Sequence, residues 1–204
     1  MIPALLRLPA TTLGPGDSVD DLAAVALALG EDRTVVVPAQ RDAAGEVLDE
    51  FVIAAALAAR GAGRLGVAAR VGAGREASVL AREATAAQLL GAADVVVLEG
   101  PPSRCRDAAT VMVALFTPGA ATVSTPTASV LEAPNLPLPD VDGGPPVLWR
   151  DGDALVGLVD GSPSVLGAAV DATVDALAAA RPATLVALRA ELGPASALRD
   201  ALAR

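Results

Sequence analysis

The stretch Asp94-Val95-Val96-Val97-Leu98-Glu99-Gly100-Pro101-Pro102 decides how the rest of the chain is read. Val95 to Leu98 is an unbroken apolar run rich in β-branched residues, the pattern of a strand covered on both faces. Gly100 and the two prolines end it. Three earlier runs have the same texture. Ile2 to Leu8 stops at Pro9, Thr34 to Val37 at Pro38, and Leu65 to Val71 at a glycine-rich loop. Between them lie segments with helical spacing. The first is capped by Asp17 or Ser18 and runs to about Gly30. The next two span Ala43 to Ala59, stopped by Gly61, and Glu76 to Leu90, stopped by Gly91. A fourth covers Arg106 to Phe116 and stops at Pro118-Gly119. Strands alternating with helices predict parallel βαβ units. An open doubly wound sheet and a barrel both satisfy that pattern.

Beyond Gly119 the texture changes. Residues 120–146 are rich in Thr, Ser, Pro and Gly, and read as an irregular excursion with a hairpin around Thr122 to Val130. Pro146 to Trp149 and Leu155 to Val159 are short strands about the turn Asp151-Gly152-Asp153. Ser162 as a cap and Pro163 at the first helical position predict a helix from Ser162 to Ala180. Thr184 to Leu188 reads as a last strand and Ala195 to Ala203 as a closing helix. The whole, residues 1–204, reads as a single α/β domain.

Composition narrows the chemistry. Of 204 residues 53% are hydrophobic and 1% aromatic, so Ala, Val and Leu must fill the core. The net charge is −9 with no lysine, so the chain lacks the basic patch of a nucleic-acid binder. It also lacks a basic amphipathic helix for an anionic membrane. The richness in Ala, Gly and Arg suggests a high-GC bacterium. There is no histidine, which excludes His-based zinc sites and Ser–His–Asp triads. The single cysteine, Cys105, cannot form an internal disulfide, and with the apolar N-terminus lacking a basic region this predicts a cytoplasmic protein.

Candidate binding residues cluster where strands meet helices. Gly72-Ala73-Gly74-Arg75 joins a strand to a helix start, where backbone amides and an arginine can hold phosphate. Arg70 precedes it. Glu99, Gly100, Ser103 and Arg104 follow the best strand, and ligands of parallel α/β folds sit at such carboxyl ends. The Gly14-Pro15-Gly16 segment is a poor dinucleotide fingerprint, because proline removes an amide donor and no third glycine follows in register. Asp151, Asp153 and Asp160 are read as turn formers.

Ordered motifs from Leu48 onward carry a resemblance. The helix Leu48 to Arg60, the strand Arg64-Leu65-Gly66, the helix Arg75 to Leu90 and the strand ending Leu98-Glu99-Gly100 follow one another. So do Asp107 to Gly119, Pro137-Leu138-Pro139, Gly144 to Trp149 and Val159-Asp160-Gly161. This order resembles the bacterial-luciferase-like flavin and deazaflavin oxidoreductases over roughly two thirds of the chain. The resemblance implies a TIM-barrel-derived fold of mostly parallel strands, here shortened or incomplete. It implies flavin mononucleotide (FMN) or a deazaflavin at the carboxyl end, hydride transfer or monooxygenase chemistry, and a homodimer or a heteromer with a family member. Ala39-Gln40 stands where that family often has Asp-His, so Gln40 would be a neutral hydrogen-bonding group at the cofactor. The expected cofactor set is Gln40, Arg70, Gly72, Gly74, Arg75, Glu99, Gly100, Ser103 and Arg104, with no catalytic residue named. A catalytically silent protein, with or without cofactor, is the alternative.

Overall fold

The computed structural model describes residues 2–14, 16–29, 33–41, 44–72, 74–133, 144–174, 177, 180–189, 191 and 193–202. Each expected apolar run up to residue 99 forms a strand: β1 (Ala4–Arg7), β2 (Arg33–Pro38), β5 (Leu65–Arg70) and β6 (Val96–Glu99). The helices between them are α1 (Val19–Leu29), α2 (Glu50–Ala58) and α3 (Ala77–Leu89), and α4 (Pro102–Phe116) follows β6. Ser18 and Asp21 start α1 with reciprocal bonds: the Asp21 amide donates to Ser18 Oγ at 3.2 Å, and the Ser18 amide donates to Asp21 Oδ2 at 2.9 Å. Asp17 instead accepts from the Ala195 amide, tying this turn to α5 (Ala195–Leu202). α2 starts seven residues later than its periodicity predicts, at Glu50 rather than Ala43, because Asp49 is the cap that accepts from the amides of Phe51 and Val52. The short strands β3 (Gln40–Arg41) and β4 (Val47–Leu48) pair in front of it.

The last third departs from the expected βαβ pattern. β9 (Val147–Asp151), β10 (Ala154–Val159) and β11 (Ser162–Ala172) form an antiparallel meander, and β12 (Thr184–Leu188) returns parallel to β11. The helix predicted over Ser162 to Ala180 is therefore corrected. Its first eleven residues are strand β11, and half of the remaining eight lie outside the described residues. The cause is local. Asp160 and Gly161 both have positive φ (50° and 76°) and join Val159 to Ser162 in a two-residue hairpin turn. The turn reverses the chain before Ser162 can cap anything.

Eight strands close into a barrel in the order β1-β12-β11-β10-β9-β6-β5-β2. The expectation of a TIM-barrel-derived fold, shortened or incomplete, is thus overturned. The barrel is closed and mixed, with antiparallel pairs at β9–β10 and β10–β11. Strand–helix alternation ends after α4, and among the described residues no helix separates β9, β10 and β11. Two-residue turns replace crossover helices on that side, which is how eight strands fit in so short a chain. The irregular excursion holds the hairpin of β7 (Ala121–Ser124) and β8 (Ser129–Ala133); Pro137-Leu138-Pro139 lies outside the described residues.

The core has two parts. Alternate strand residues face inward, and Leu5, Val36, Ala68, Val97, Leu148, Leu155, Ala169 and Leu185 fill the barrel. Leu6, Val35, Val67, Leu98 and Trp149 face outward against the helices. Among the described residues no helix is long and apolar enough to cross a membrane.

Candidate functional site

The inward parity fixes what stands at the barrel mouth. Two residues beyond Leu5, Ala68, Val97, Leu148 and Ala169 come Arg7, Arg70, Glu99, Arg150 and Asp171. β10 runs the other way, so its mouth residue, Asp153, precedes Leu155. The mouth encloses a cavity of about 1020 Å³ whose charged lining includes Arg7, Glu99, Arg150, Asp153, Asp171 and Arg189. Most of these charges are already paired. Arg7 forks onto Glu99, Nε to Oε1 and Nη2 to Oε2, the latter at 3.0 Å. Arg150 donates to Asp171 at 2.7 Å and lies 3.8 Å from Asp153. Glu99 thus lines the mouth, and its carboxylate is held by Arg7. The sequence reading misses Arg7, Arg150, Asp171 and Arg189. The signal that finds them is the charged residue two positions past the last inward apolar residue of a barrel strand.

A second cavity, about 680 Å³, lies between the β5–α3 loop, α4 and the β7–β8 hairpin. Gly72, Gly74, Arg75 and Arg104 line it together. Its hairpin wall is pinned by Asp107, which accepts from Thr127 through the amide at 3.1 Å and Oγ1 at 2.8 Å. A shallower cleft of about 420 Å³, the neck, adjoins both cavities through shared lining residues. It shares Glu99 and Gly100 with the mouth, and Val71, Gly72 and Arg104 with the hairpin cavity. Arg70 and Arg104 line this neck, both exposed, and neither makes an ion pair among the described residues. Ser103 is exposed on the first turn of α4 and lines none of the three cavities.

Arg75 is committed elsewhere. Its guanidinium donates to Glu50 at 2.5 Å, to Asp49 at 2.8 Å and to Glu83 at 2.6 Å, and sits over the Phe51 ring at 5.3 Å. Three carboxylates neutralise it, and their charge raises its pKa against the opposing effect of burial. It holds the loop and not an anion. Gln40 is committed too. It is fully buried, accepts from the Leu13 amide at 3.2 Å, and donates to the carbonyls of Pro9 and Pro38. It stitches the β1–α1 loop to the end of β2 and turns no free group to a ligand.

Cys105 lies under the neck, buried, and burial together with nearby Glu99 pushes its thiol up to about 11. The thiolate fraction at neutral pH is then negligible. Native protein should resist a disulfide-exchange thiol reagent at pH 7.5, and unfolded protein should react with one equivalent at once. Fast labelling of the folded chain would contradict this placement.

No protein-family model matches the chain, and no curated protein matches it in sequence.

Proposed function

We propose that the chain binds a phosphate-bearing flavin or deazaflavin across the barrel mouth and neck and acts as an oxidoreductase on a small molecule. The observation that carries this reading is the pair of unpaired guanidiniums, Arg70 and Arg104, in the neck of a protein whose net charge is −9. Cations left without partners amid so many carboxylates suit an anion supplied from outside. At the phosphate end Gly72 leaves the backbone bare beside Arg104, while Gly100 packs closely on Val71. At the ring end the mouth has ligand-scale volume and an apolar floor of Val97, Leu185 and Ala187. A bound flavin or deazaflavin would supply hydride transfer. Arg70 and Arg104 would hold its phosphate, the floor would exclude water from one ring face, and Arg7 would hold the Glu99 carboxylate in place.

A second reading is favoured by the paired mouth. With Glu99 bound to Arg7 and Asp171 to Arg150, the carboxylates left at the mouth among the described residues are the exposed Asp153 and Glu191. A catalytically silent binding protein, a homodimer or heteromer in the cytoplasm, would need none.

Fluorescence titration separates the readings. FMN is expected to bind at least about tenfold tighter than riboflavin, some 1.4 kcal/mol of phosphate recognition. Arg104→Gln is expected to erase that difference. Binding of flavin or deazaflavin without turnover of any reductant favours the silent protein. No binding of either to the wild type sinks the cofactor reading.

A further inference from the structure

We infer that the neck is a diphosphate site and that the ligand is a two-part molecule whose halves occupy the mouth and the hairpin cavity, as a dinucleotide would. This deepens the cofactor reading and rests on it for the mouth half alone. The three cavities adjoin one another through shared lining residues. Two cavities of about 1020 and 680 Å³ are each of whole-ligand scale. The hairpin cavity is far larger than one phosphate requires, so a phosphate on Arg104 would leave most of it unfilled. The smaller, shallower neck is the only one of the three cavities that both Arg70 and Arg104 line.

The backbone of the neck suits a bulky dianion. Gly72 and Gly100 have φ of +126° and +152°, conformations that other residues rarely adopt. A side chain at Gly100 would come within 3.0 Å of the Val71 carbonyl oxygen, so the two strand ends meet there with nothing between them. Arg104 Nη1 would lie 3.7 Å from a Cβ at Gly72, which places that guanidinium directly over the bare loop. Arg70 stands across the neck at the end of β5, in register with Glu99. Glu99 is already satisfied by Arg7, so it does not claim Arg70. Two guanidiniums lining one cleft beside the open backbone of Gly72 match two linked phosphoryl groups better than one. Beyond them, Ser129 offers the hairpin cavity a hydroxyl, and the hydroxyl oxygens of Ser78 and Thr127, which donate within the protein, can still accept from a ribose.

The test uses inorganic phosphate, inorganic pyrophosphate and ADP as probes on the purified full chain, by calorimetric titration at low salt. Pyrophosphate is expected to bind at least about tenfold tighter than phosphate, and ADP tighter again. Arg70→Gln and Arg104→Gln should each weaken pyrophosphate about tenfold or more. Arg82→Gln, which removes an exposed arginine outside these cavities, should leave it unchanged. Ala128→Trp narrows the hairpin cavity and should reduce ADP to the affinity of pyrophosphate. Pyrophosphate no tighter than phosphate, equal losses in Arg82→Gln, or ADP binding indifferent to Ala128→Trp would each overturn the two-part site. FMN binding measured beside these keeps the questions separate. Pyrophosphate and ADP binding without flavin binding leaves the site standing and removes the redox reading, while flavin binding without pyrophosphate does the reverse.

Discussion

Arg75→Met is expected to lower the unfolding free energy by about 3–5 kcal/mol, the range for removing one partner of a buried ion pair. Glu50, 2% exposed in the first turn of α2, would lose its guanidinium and keep only its own backbone contact. Asp49 and Glu83 would then face it with nothing between the charges. The loss should depend on pH in a defined direction. In the wild type, burial already raises the Glu50 pKa above its ordinary value, against the attraction of Arg75. A carboxyl raised in the folded state keeps its proton where the unfolded chain has released it. Stability therefore falls as pH rises from the unfolded pKa to the folded one, and stays lower above it. Without Arg75 the folded value rises further and that window widens upward. Urea unfolding should show a larger deficit at pH 7.5 than at pH 5. Arg75→Lys should recover only part of it, because an ammonium cannot serve three carboxylates from one planar fork. A deficit under about 1 kcal/mol, or one equal at both pH values, would show that the cluster is merely a surface ion pair.

The same cluster shows where sequence reading stops. Gly72, Gly74 and Arg104 were legible as parts of the junctions between β5 and α3 and between β6 and α4, since glycines and an arginine at a strand's carboxyl end are a local pattern. Arg75 shares that pattern, yet its partners Asp49 and Glu50 lie on another helix, 26 and 25 residues away. Nothing local distinguishes an arginine facing solvent from one enclosed by carboxylates. The mouth residues were hidden differently. Arg7, Arg150 and Asp171 belong together only once the barrel closes and its inward parity is known.

The barrel strands β1, β2, β5 and β6 were legible because unbroken apolar runs report burial on both faces. β11 was not, because Ser162-Pro163 and the alanines after it imitate a helix start. Its strand character comes from the two-residue turn before it and from long-range packing. Gly167 lies so close to Ala183 that a Cβ there would fall 1.6 Å from the Ala183 carbonyl oxygen. That approach bolts β11 to the turn before β12. Half of its residues remain exposed, Val165 and Val170 among them, so burial left little trace in its composition.

Gln40→Glu should be the most pH-sensitive substitution in the chain. The new carboxyl would occupy a position of 0% exposure, facing the carbonyl oxygens of Pro9 and Pro38 that Gln40 Nε2 now serves. As a carboxylate it could still accept from the Leu13 amide, but two oxygens would oppose a buried charge. A loss of about 3–5 kcal/mol is expected at pH 7.5, in keeping with a buried unpaired ion. Protonation largely repairs the site, since a carboxylic acid can donate to one carbonyl while accepting from Leu13. The folded pKa is thus raised, and the deficit shrinks by about 1.4 kcal/mol per pH unit on descending from that value toward the ordinary carboxylate range. Gln40→Leu supplies the contrast. It leaves the Leu13 amide buried without a partner, at about 1–3 kcal/mol, while Pro9 keeps the bond from Thr12 Oγ1 at 2.6 Å. That loss carries no pH dependence, because leucine does not titrate. If Gln40 instead faced a ligand in an open mouth, Gln40→Glu would fold normally at every pH and lose only affinity. Unfolding curves for both variants at pH 5 and 7.5 therefore decide whether this residue holds the loop or touches the cofactor.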